Sequence, residues 1–236
     1  MKQILILFTA TILMVSCHQN DPRNPYNLPI ANTMKAYLAQ VEEDPNTELI
    51  DLEEAIPGVA LYIAYATEDN FTGVPIYTSP KAYLCRPVAQ ALAAIQDSLQ
   101  SLGLGIKVFD AYRPYAGTVY FYEVYHDTTF VASPRTGSIH NRGAAVDLTL
   151  IQLETGEELE MPTRFDSFSD TASHSFMDLP EHILENRALL RGIMETFGFT
   201  IYEHEWWHYN FTGARSFPLR DVSFEELATN QSRKDT

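Results

Sequence analysis

Apolar positions along the 236-residue chain recur with a period that switches between helix-like and strand-like several times. Thr33 to Val41 fits a short helix, and Val59 to Tyr65 alternates apolar and aromatic residues in the manner of a strand. Pro87 suits a helix start, where its missing N–H costs nothing. Val88, Leu92, Ile95, Leu99 and Leu102 then recur at helical spacing, predicting one apolar stripe that Gly103 closes. Ile106 to Phe109 predicts a short strand running into Asp110, and Thr118 to His126 a helix. Within that helix, Tyr120, Phe121, Tyr122 and Tyr125 form the face expected to pack on the sheet. Ala144 to Leu150 reads as a strand and Thr155-Gly156 as a hairpin turn. A second long helix is expected over Pro180 to Phe197, stopped by Gly198, with a further strand beginning at Phe199 to Tyr202. Helices and strands alternate without the Gly-rich turns of a nucleotide fold, without an internal repeat and without a second linker. The pattern predicts an α+β single domain whose mainly antiparallel sheet is flanked by helices.

The first sixteen residues read differently. Lys2 is followed by an apolar run from Ile4 to Val15, which is short for a membrane span. The run ends at Val15-Ser16-Cys17, which resembles a bacterial lipoprotein cleavage site, although Met14 stands where such sites usually carry Leu. The organisation expected from this is a signal segment over 1–16, a tether over 17–30 hanging from a lipidated Cys17, and a folded domain over 31–236. An ordinary secretory signal beside a coincidental Cys is the alternative. His18 to Pro29 holds three prolines and three asparagines, a composition that suits a tether. The expected location is therefore the bacterial cell envelope, with membrane contact through the lipid alone. Acylation of Cys17 leaves Cys85 without a disulfide partner, and Cys85 reads as a small buried residue. The net charge of −15 argues against nucleic acid and anionic membrane surfaces as partners.

Candidate chemistry concentrates in two stretches. His204-Glu205-Trp206-Trp207-His208 spells an H-E-x-x-H string, which binds zinc when a helix sets both histidines on one face. Here the flanks, from Phe199 to Tyr202 and from Tyr209 to Thr212, are aromatic and β-branched and favour a strand. In an extended chain His204 and His208 stand about 13 Å apart and do not share an ion. The other stretch is Ser138 to Asp147, where His140 precedes Gly143 and Asp147 interrupts an apolar strand. A carboxylate in such a strand needs compensation, either a metal ion or a salt bridge to Arg142 or Arg113. Two imidazoles and a carboxylate form a familiar catalytic zinc set with one open position, and His140, Asp147 and His208 would supply it.

Several stretches occur in one order: "YATEDNFTG" (65–73), "DAYRP" (110–114), "SIHNRGAAVDLTL" (138–150), "RFD" (164–166) and "EWWHY" (205–209). Together they resemble the D-alanyl-D-alanine dipeptidase and carboxypeptidase superfamily, with the nearer likeness to dipeptidases of the VanX type. The resemblance implies one Zn²⁺ per chain on His140, Asp147 and His208, with Glu205 as general base. It implies that Arg113 meets the developing oxyanion, that Asp166 binds the substrate ammonium, and that Ser138 adds a hydrogen bond. Tyr65 is a further candidate for the site wall. The substrate implied is the free D-Ala-D-Ala dipeptide. A carboxypeptidase acting on peptidoglycan stem peptides is the enzymatic alternative, and a zinc-containing module that binds wall peptides without cutting them is the other.

Four structural expectations follow. His204 falls outside the family pattern and should not touch the metal. Glu205 and His208 are three residues apart, so the backbone between them should kink to aim both at one point. The loop over 162–180 should wall off the amino side of the site, restricting it to dipeptides. Trp206 and Trp207 should divide between core and pocket wall. His126, His174 and His182 read as surface residues, and Arg142 as either a donor to the substrate carboxylate or a structural residue.

Overall fold

The computed structural model describes Asp21 and residues 23–234. The expected signal segment and Cys17 lie outside the described residues. The strands in chain order are β1 (Ile30–Ala31), β2 (Leu49–Asp51), β3 (Ala60–Leu61), β4 (Tyr83–Cys85), β5 (Leu104–Asp110), β6 (Ala145–Gln152), β7 (Phe199–Tyr202), β8 (Glu205–Phe211) and β9 (Leu219–Arg220). The helices are α1 (Met34–Glu43), α2 (Leu52–Ala55), α3 (Arg86–Gln100), α4 (Tyr115–Val124), α5 (Glu181–Thr196) and α6 (Phe224–Lys234).

The central sheet runs β3-β5-β6-β8-β7. Only the β3–β5 pair is parallel; β5–β6, β6–β8 and β7–β8 are antiparallel, so the sheet is mainly antiparallel as its sequence predicts. Strand β6 lies at its centre, with every residue from Ala145 to Ile151 buried. α3 packs on β5, and α5 packs on β7 and β8.

α3 follows its sequence closely. Pro87 sits in the first turn, and Val88, Leu92, Ile95 and Leu99 are buried. Leu102 departs from the predicted stripe. The helix ends at Gln100, Gly103 turns left-handed at φ 70°, and Leu102 is 60% exposed on that turn. α5 buries Leu190 and Met194 and ends before Gly198 at φ 87°. On α4 the core residue is Phe121, whereas Tyr120 points outward.

The segment 59–65 is not the strand its alternation predicts. Only Ala60–Leu61 pairs with β5, and the chain then tightens into a short 3-10 turn over Ala64–Ala66. The Tyr65 carbonyl accepts the N–H groups of Ile76 and Tyr77, which ties the following loop back over the turn. Burial of the Tyr65 ring is bought by leaving the sheet, an outcome that local alternation does not reveal.

Two small ladders complete the fold. β2 pairs antiparallel with β4, and β1 pairs parallel with β9. Ile30, the last residue of the expected tether, lies opposite Leu219, so β1 straddles the boundary expected between tether and domain. Among the described residues no helix is long and apolar enough to cross a membrane.

Candidate metal centre and active site

Three acceptors converge on one face of the sheet. Asp147 on β6 lies directly opposite His208 on β8, and directly opposed residues of an antiparallel pair share a face. On the other side Asp147 lies opposite Asp110 on β5, across a bulge at Phe109. His140 arrives from a short 3-10 turn, His140–Arg142, that Gly143 closes in the left-handed region at φ 66°. A Cβ on Gly143 would collide with Leu49 and press on Cys85, so only glycine carries the chain from the turn into β6. His140 Nε2 stands 3.2 Å from His208 Nδ1 and 3.4 Å from Asp147 Oδ1, and His208 Nδ1 stands 2.9 Å from Asp147 Oδ1.

These separations fit a tetrahedral ion, whose ligand–ligand edges are about 3.3 Å for bonds of about 2.0–2.1 Å. The outer ring nitrogens support the fit. His140 Nδ1–H donates to the Ala111 carbonyl at 2.7 Å, and His208 Nε2–H donates to Asn210 Oδ1 at 3.0 Å. Both inner nitrogens are thereby left with lone pairs aimed at each other and at a carboxylate, an arrangement that calls for a cation. Among the described residues, these three are the only group of three His, Cys, Asp or Glu side chains arranged to hold a metal. Asp147 has no arginine partner; burial works against its charge, but the two imidazoles outweigh burial and keep it well below the usual carboxylate range. Asp147 therefore does not make the salt bridge to Arg142 or Arg113 that its sequence also allowed.

The H-E-x-x-H string is extended, and only one of its histidines reaches this point. Ile201 pairs with Tyr209, but the next residue, Tyr202, pairs with Glu205, so Trp206 to His208 form an irregularity in the ladder. That kink brings residues three apart onto one site, with Glu205 Oε2 3.9 Å from His208 Nδ1. Glu205 is 7% exposed, and burial drives its carboxyl up to about 8 against the opposing pull of His208. Trp207 lines the cavity, while Trp206 is buried and donates its indole N–H to Thr163 Oγ1 at 3.0 Å. His204 is exposed on the turn before β8 and packs against Tyr202.

Arg113 is held by a buried ion pair and faces the cavity. Its Nε and Nη2 donate to Asp110 Oδ2 at 3.1 and 2.7 Å, and its guanidinium lies over the rings of Phe121 and Tyr65, at 4.6 and 5.3 Å. It also lines the cavity. Asp110 is fully buried; its other oxygen accepts the Tyr77 hydroxyl and the Ala111 N–H, each at 2.9 Å. The Asn141 amide bonds the Arg113 carbonyl and Thr118, and its oxygen accepts the Ser138 N–H at 2.6 Å. Asp110 and Asn141 were not among the expected site residues. Asp110 carried a legible signal, a carboxylate closing an apolar strand as Asp147 does.

Asp166 is one of two non-glycine residues with positive φ among those described, at 60°. Asp adopts this left-handed backbone more readily than most residues do. Its Oδ1 accepts the Tyr65 hydroxyl at 3.0 Å, while Oδ2 is buried with no partner among the described residues. Burial pushes this carboxyl up to about 8, and Asp147 adds to the shift. Ser138 Oγ accepts the His140 N–H at 3.2 Å. Tyr65, Ser138, Asp166, Arg113, Glu205, His140, Asp147 and His208 line one cavity of about 280 Å³, a size for a small molecule. Phe168 of the 162–180 loop packs on Phe71, Tyr125 and Phe130, and Phe165 stacks on Phe109 and meets Trp207, so the loop walls part of this cavity.

The other histidines divide. His126 and His182 are exposed, as their sequence suggests. His174 is not: it is buried against Tyr209, on the face of β8 away from His208, and neither ring nitrogen has a partner among the described residues.

An α+β domain with a His-Asp-His metal triangle and an adjoining carboxylate at the base of a small cavity has the make-up of a metallopeptidase. The peptidase M15 model described as D-ala-D-ala dipeptidase matches residues 45–227, and the chain belongs to that metallopeptidase family. It is 35% identical to the D-alanyl-D-alanine dipeptidase of Escherichia coli (strain K12) over 173 residues, which is 73% of this chain and 89% of the relative. It is also 35% identical to that of Enterococcus faecalis (strain ATCC 700802 / V583), over 67% of this chain and 88% of the relative. Among solved structures, a zinc complex of the vancomycin resistance D,D-pentapeptidase VanY aligns with 59% of this chain and 78% of its own, at 17% identity and a TM-score of 0.36. The LD-carboxypeptidase LdcB aligns with 57% of this chain and 63% of its own, at 19% identity and a TM-score of 0.35.

Proposed function

We propose that this protein is a zinc-dependent dipeptidase that hydrolyses D-alanyl-D-alanine. The observation that carries the reading is the meeting of His140 Nε2, Asp147 Oδ1 and His208 Nδ1 within 3.4 Å, with the Glu205 carboxylate 3.9 Å from the last. The stereochemistry of the substrate rests on the family and on relatives named for it.

His140, Asp147 and His208 would hold the zinc. When bound, the ion polarises the scissile carbonyl and lowers the pKa of water from 15.7 to about 7. Glu205 takes the proton of the attacking water and hands it to the leaving amine. Its burial suits this exchange, because desolvation raises the carboxyl's affinity for the proton it must carry. Arg113 donates to the carbonyl oxygen as negative charge develops there, and Asp110 holds the guanidinium in position so that little reorganisation is needed. Asp166 Oδ2 receives the substrate ammonium, which supplies its missing partner, with Tyr65 bracing the other oxygen. Ser138 adds a hydrogen bond. Phe168 walls off the amino side, so a longer peptide meets a ring where a free ammonium meets Asp166.

The chain is further proposed to be exported and held in the cell envelope by a lipid on Cys17, on the strength of Val15-Ser16-Cys17 after the apolar run. The catalytic reading is tested by measuring zinc content and D-alanine release from D-Ala-D-Ala and from a pentapeptide ending in D-Ala-D-Ala. Fast release from the dipeptide alone is expected. Equal release from both would make the protein a carboxypeptidase, and stoichiometric zinc with no release would make it a binding module.

A further inference from the structure

The cavity has a basic end to which the catalytic reading assigns no role. Arg142 and Arg215 both line it. Neither has a carboxylate partner among the described residues; the ion pairs inside the cavity belong to Arg113 and to the two ligand histidines. Arg142 donates from Nη1 to the carbonyls of Phe217 and Arg215, and its Nε and Nη2 have no described acceptor. Arg215 is exposed, and its guanidinium makes no hydrogen bond among the described residues. Two like charges side by side at a cavity wall are unfavourable until an anion joins them.

This end is distinct from the acidic one. The Asp166 carboxylate accepts the Tyr65 hydroxyl, and the Tyr65 ring lies beside the Arg113 guanidinium that Asp110 holds. Arg142 instead bonds the carbonyls of Arg215 and Phe217, in the segment after β8. Strand β8 orders the two ends: Glu205 comes first, then His208, then Asn210 bonded to His208, and Arg215 lies in the loop that follows. A ligand lying across the metal triangle thus has carboxylates at one end and unpaired guanidinium groups at the other.

We propose that Arg215, seated beside Arg142, binds the α-carboxylate of the substrate's C-terminal residue, so that the cavity reads a zwitterion from both ends. The proposal rests on the dipeptidase reading. Guanidinium suits the task because its planar fork matches a carboxylate and its charge does not titrate near neutrality. Arg142 also holds the turn that carries Arg215, so Arg215 is the cleaner residue to change.

The test compares D-Ala-D-Ala with its C-terminal amide on the zinc-loaded wild type, Arg215→Gln and Arg215→Lys. In Arg215→Gln the KM for the free acid should rise about 10- to 100-fold, the loss expected for a hydrogen-bonded charge pair, while kcat stays within about twofold. The amide should show no such rise, and Arg215→Lys should recover part of the loss. An unchanged KM for the acid, or an equal rise for acid and amide, overturns the assignment. If the wild type cleaves neither compound, the dipeptidase reading fails by itself. Calorimetric titration of zinc-loaded Glu205→Gln protein with both compounds then decides the subsite. A preference for the acid that Arg215→Gln removes supports it, and equal binding of acid and amide refutes it.

Discussion

Asp147 and His208 face each other across neighbouring antiparallel strands with Oδ1 and Nδ1 2.9 Å apart, so two of the three proposed metal ligands are set by strand register. A one-residue slip of β8 would turn His208 to the opposite face. The third ligand depends on a turn, and the base depends on a kink, which makes the parts of the site separately testable.

His140→Ala and Asp147→Ala should each abolish stoichiometric zinc, read by elemental analysis of the purified protein. His204→Ala should keep zinc and most activity, since His204 is exposed and lies outside the metal triangle. Glu205→Gln should keep zinc and lose on the order of 10²- to 10⁴-fold in kcat. Zinc loss in His204→Ala would revive the contiguous H-E-x-x-H reading.

Asp110→Asn should lower kcat far more than it changes KM, because it frees Arg113 from the oxygen that takes two of its donors. It should also reduce stability by about 3–5 kcal/mol, the range for removing one member of a buried ion pair. Urea unfolding and steady-state kinetics on the same preparation check both effects. A variant with normal kcat would show that Arg113 is held by its aromatic neighbours instead.

Gly143→Ala should destabilise the fold by about 1–3 kcal/mol and weaken zinc binding, since the new methyl group meets Leu49 and Cys85 at a left-handed backbone. Thermal unfolding with and without a chelator separates the two: a metal-linked defect shrinks the difference between the curves.

Phe168→Ala should open the amino side of the cavity, where Phe168 packs on Phe71, Tyr125 and Phe130. The ratio of pentapeptide to dipeptide cleavage should rise at least several-fold. An unchanged ratio would mean that something other than this loop sets substrate length.

His174 introduces a pH dependence remote from the chemistry. Burial lowers its pKa to about 4, from about 6.5 in an unfolded chain, with Arg191 and Arg187 adding to the shift. Between those values the unfolded chain binds the extra proton, so this contribution to stability is present above about pH 6.5 and is lost as pH falls toward 4. Urea unfolding at pH 7.5 and pH 5 should therefore show a smaller loss in His174→Phe than in the wild type.

Helices α1, α3, α4 and α5 and the central strand were legible in the sequence because their periodicity agrees with their packing, whereas α2 and α6 were not predicted. The stripe on α3 and the apolar run of β6 are local patterns that tertiary structure did not override. His140, Asp147, His208 and Glu205 stood out through motif order, and the structure brings their side chains together. Other features depend on distant partners. Tyr65 leaves its expected strand because a buried aromatic cluster waits for it, and the partner in its hydroxyl bond, Asp166, is 101 residues away. His174 looks like any loop histidine until α5 and Tyr209 cover it. Asp110 closes an apolar strand in the sequence, but only the structure shows one of its oxygens on Arg113 and the other on Tyr77 and Ala111.

The parallel pairing of β1 with β9 bears on how the protein should be produced for such experiments. A soluble version cut at residue 31, where composition suggests the domain begins, would strip Ile30 from Leu219 and break up β1. Its neighbour, the Ala31 carbonyl, receives the N–H of Asp221, whose carboxylate in turn accepts the Ala116 N–H in the first turn of α4. Expression clones should therefore start upstream of Asn24, whose side chain clamps Leu28 ahead of β1.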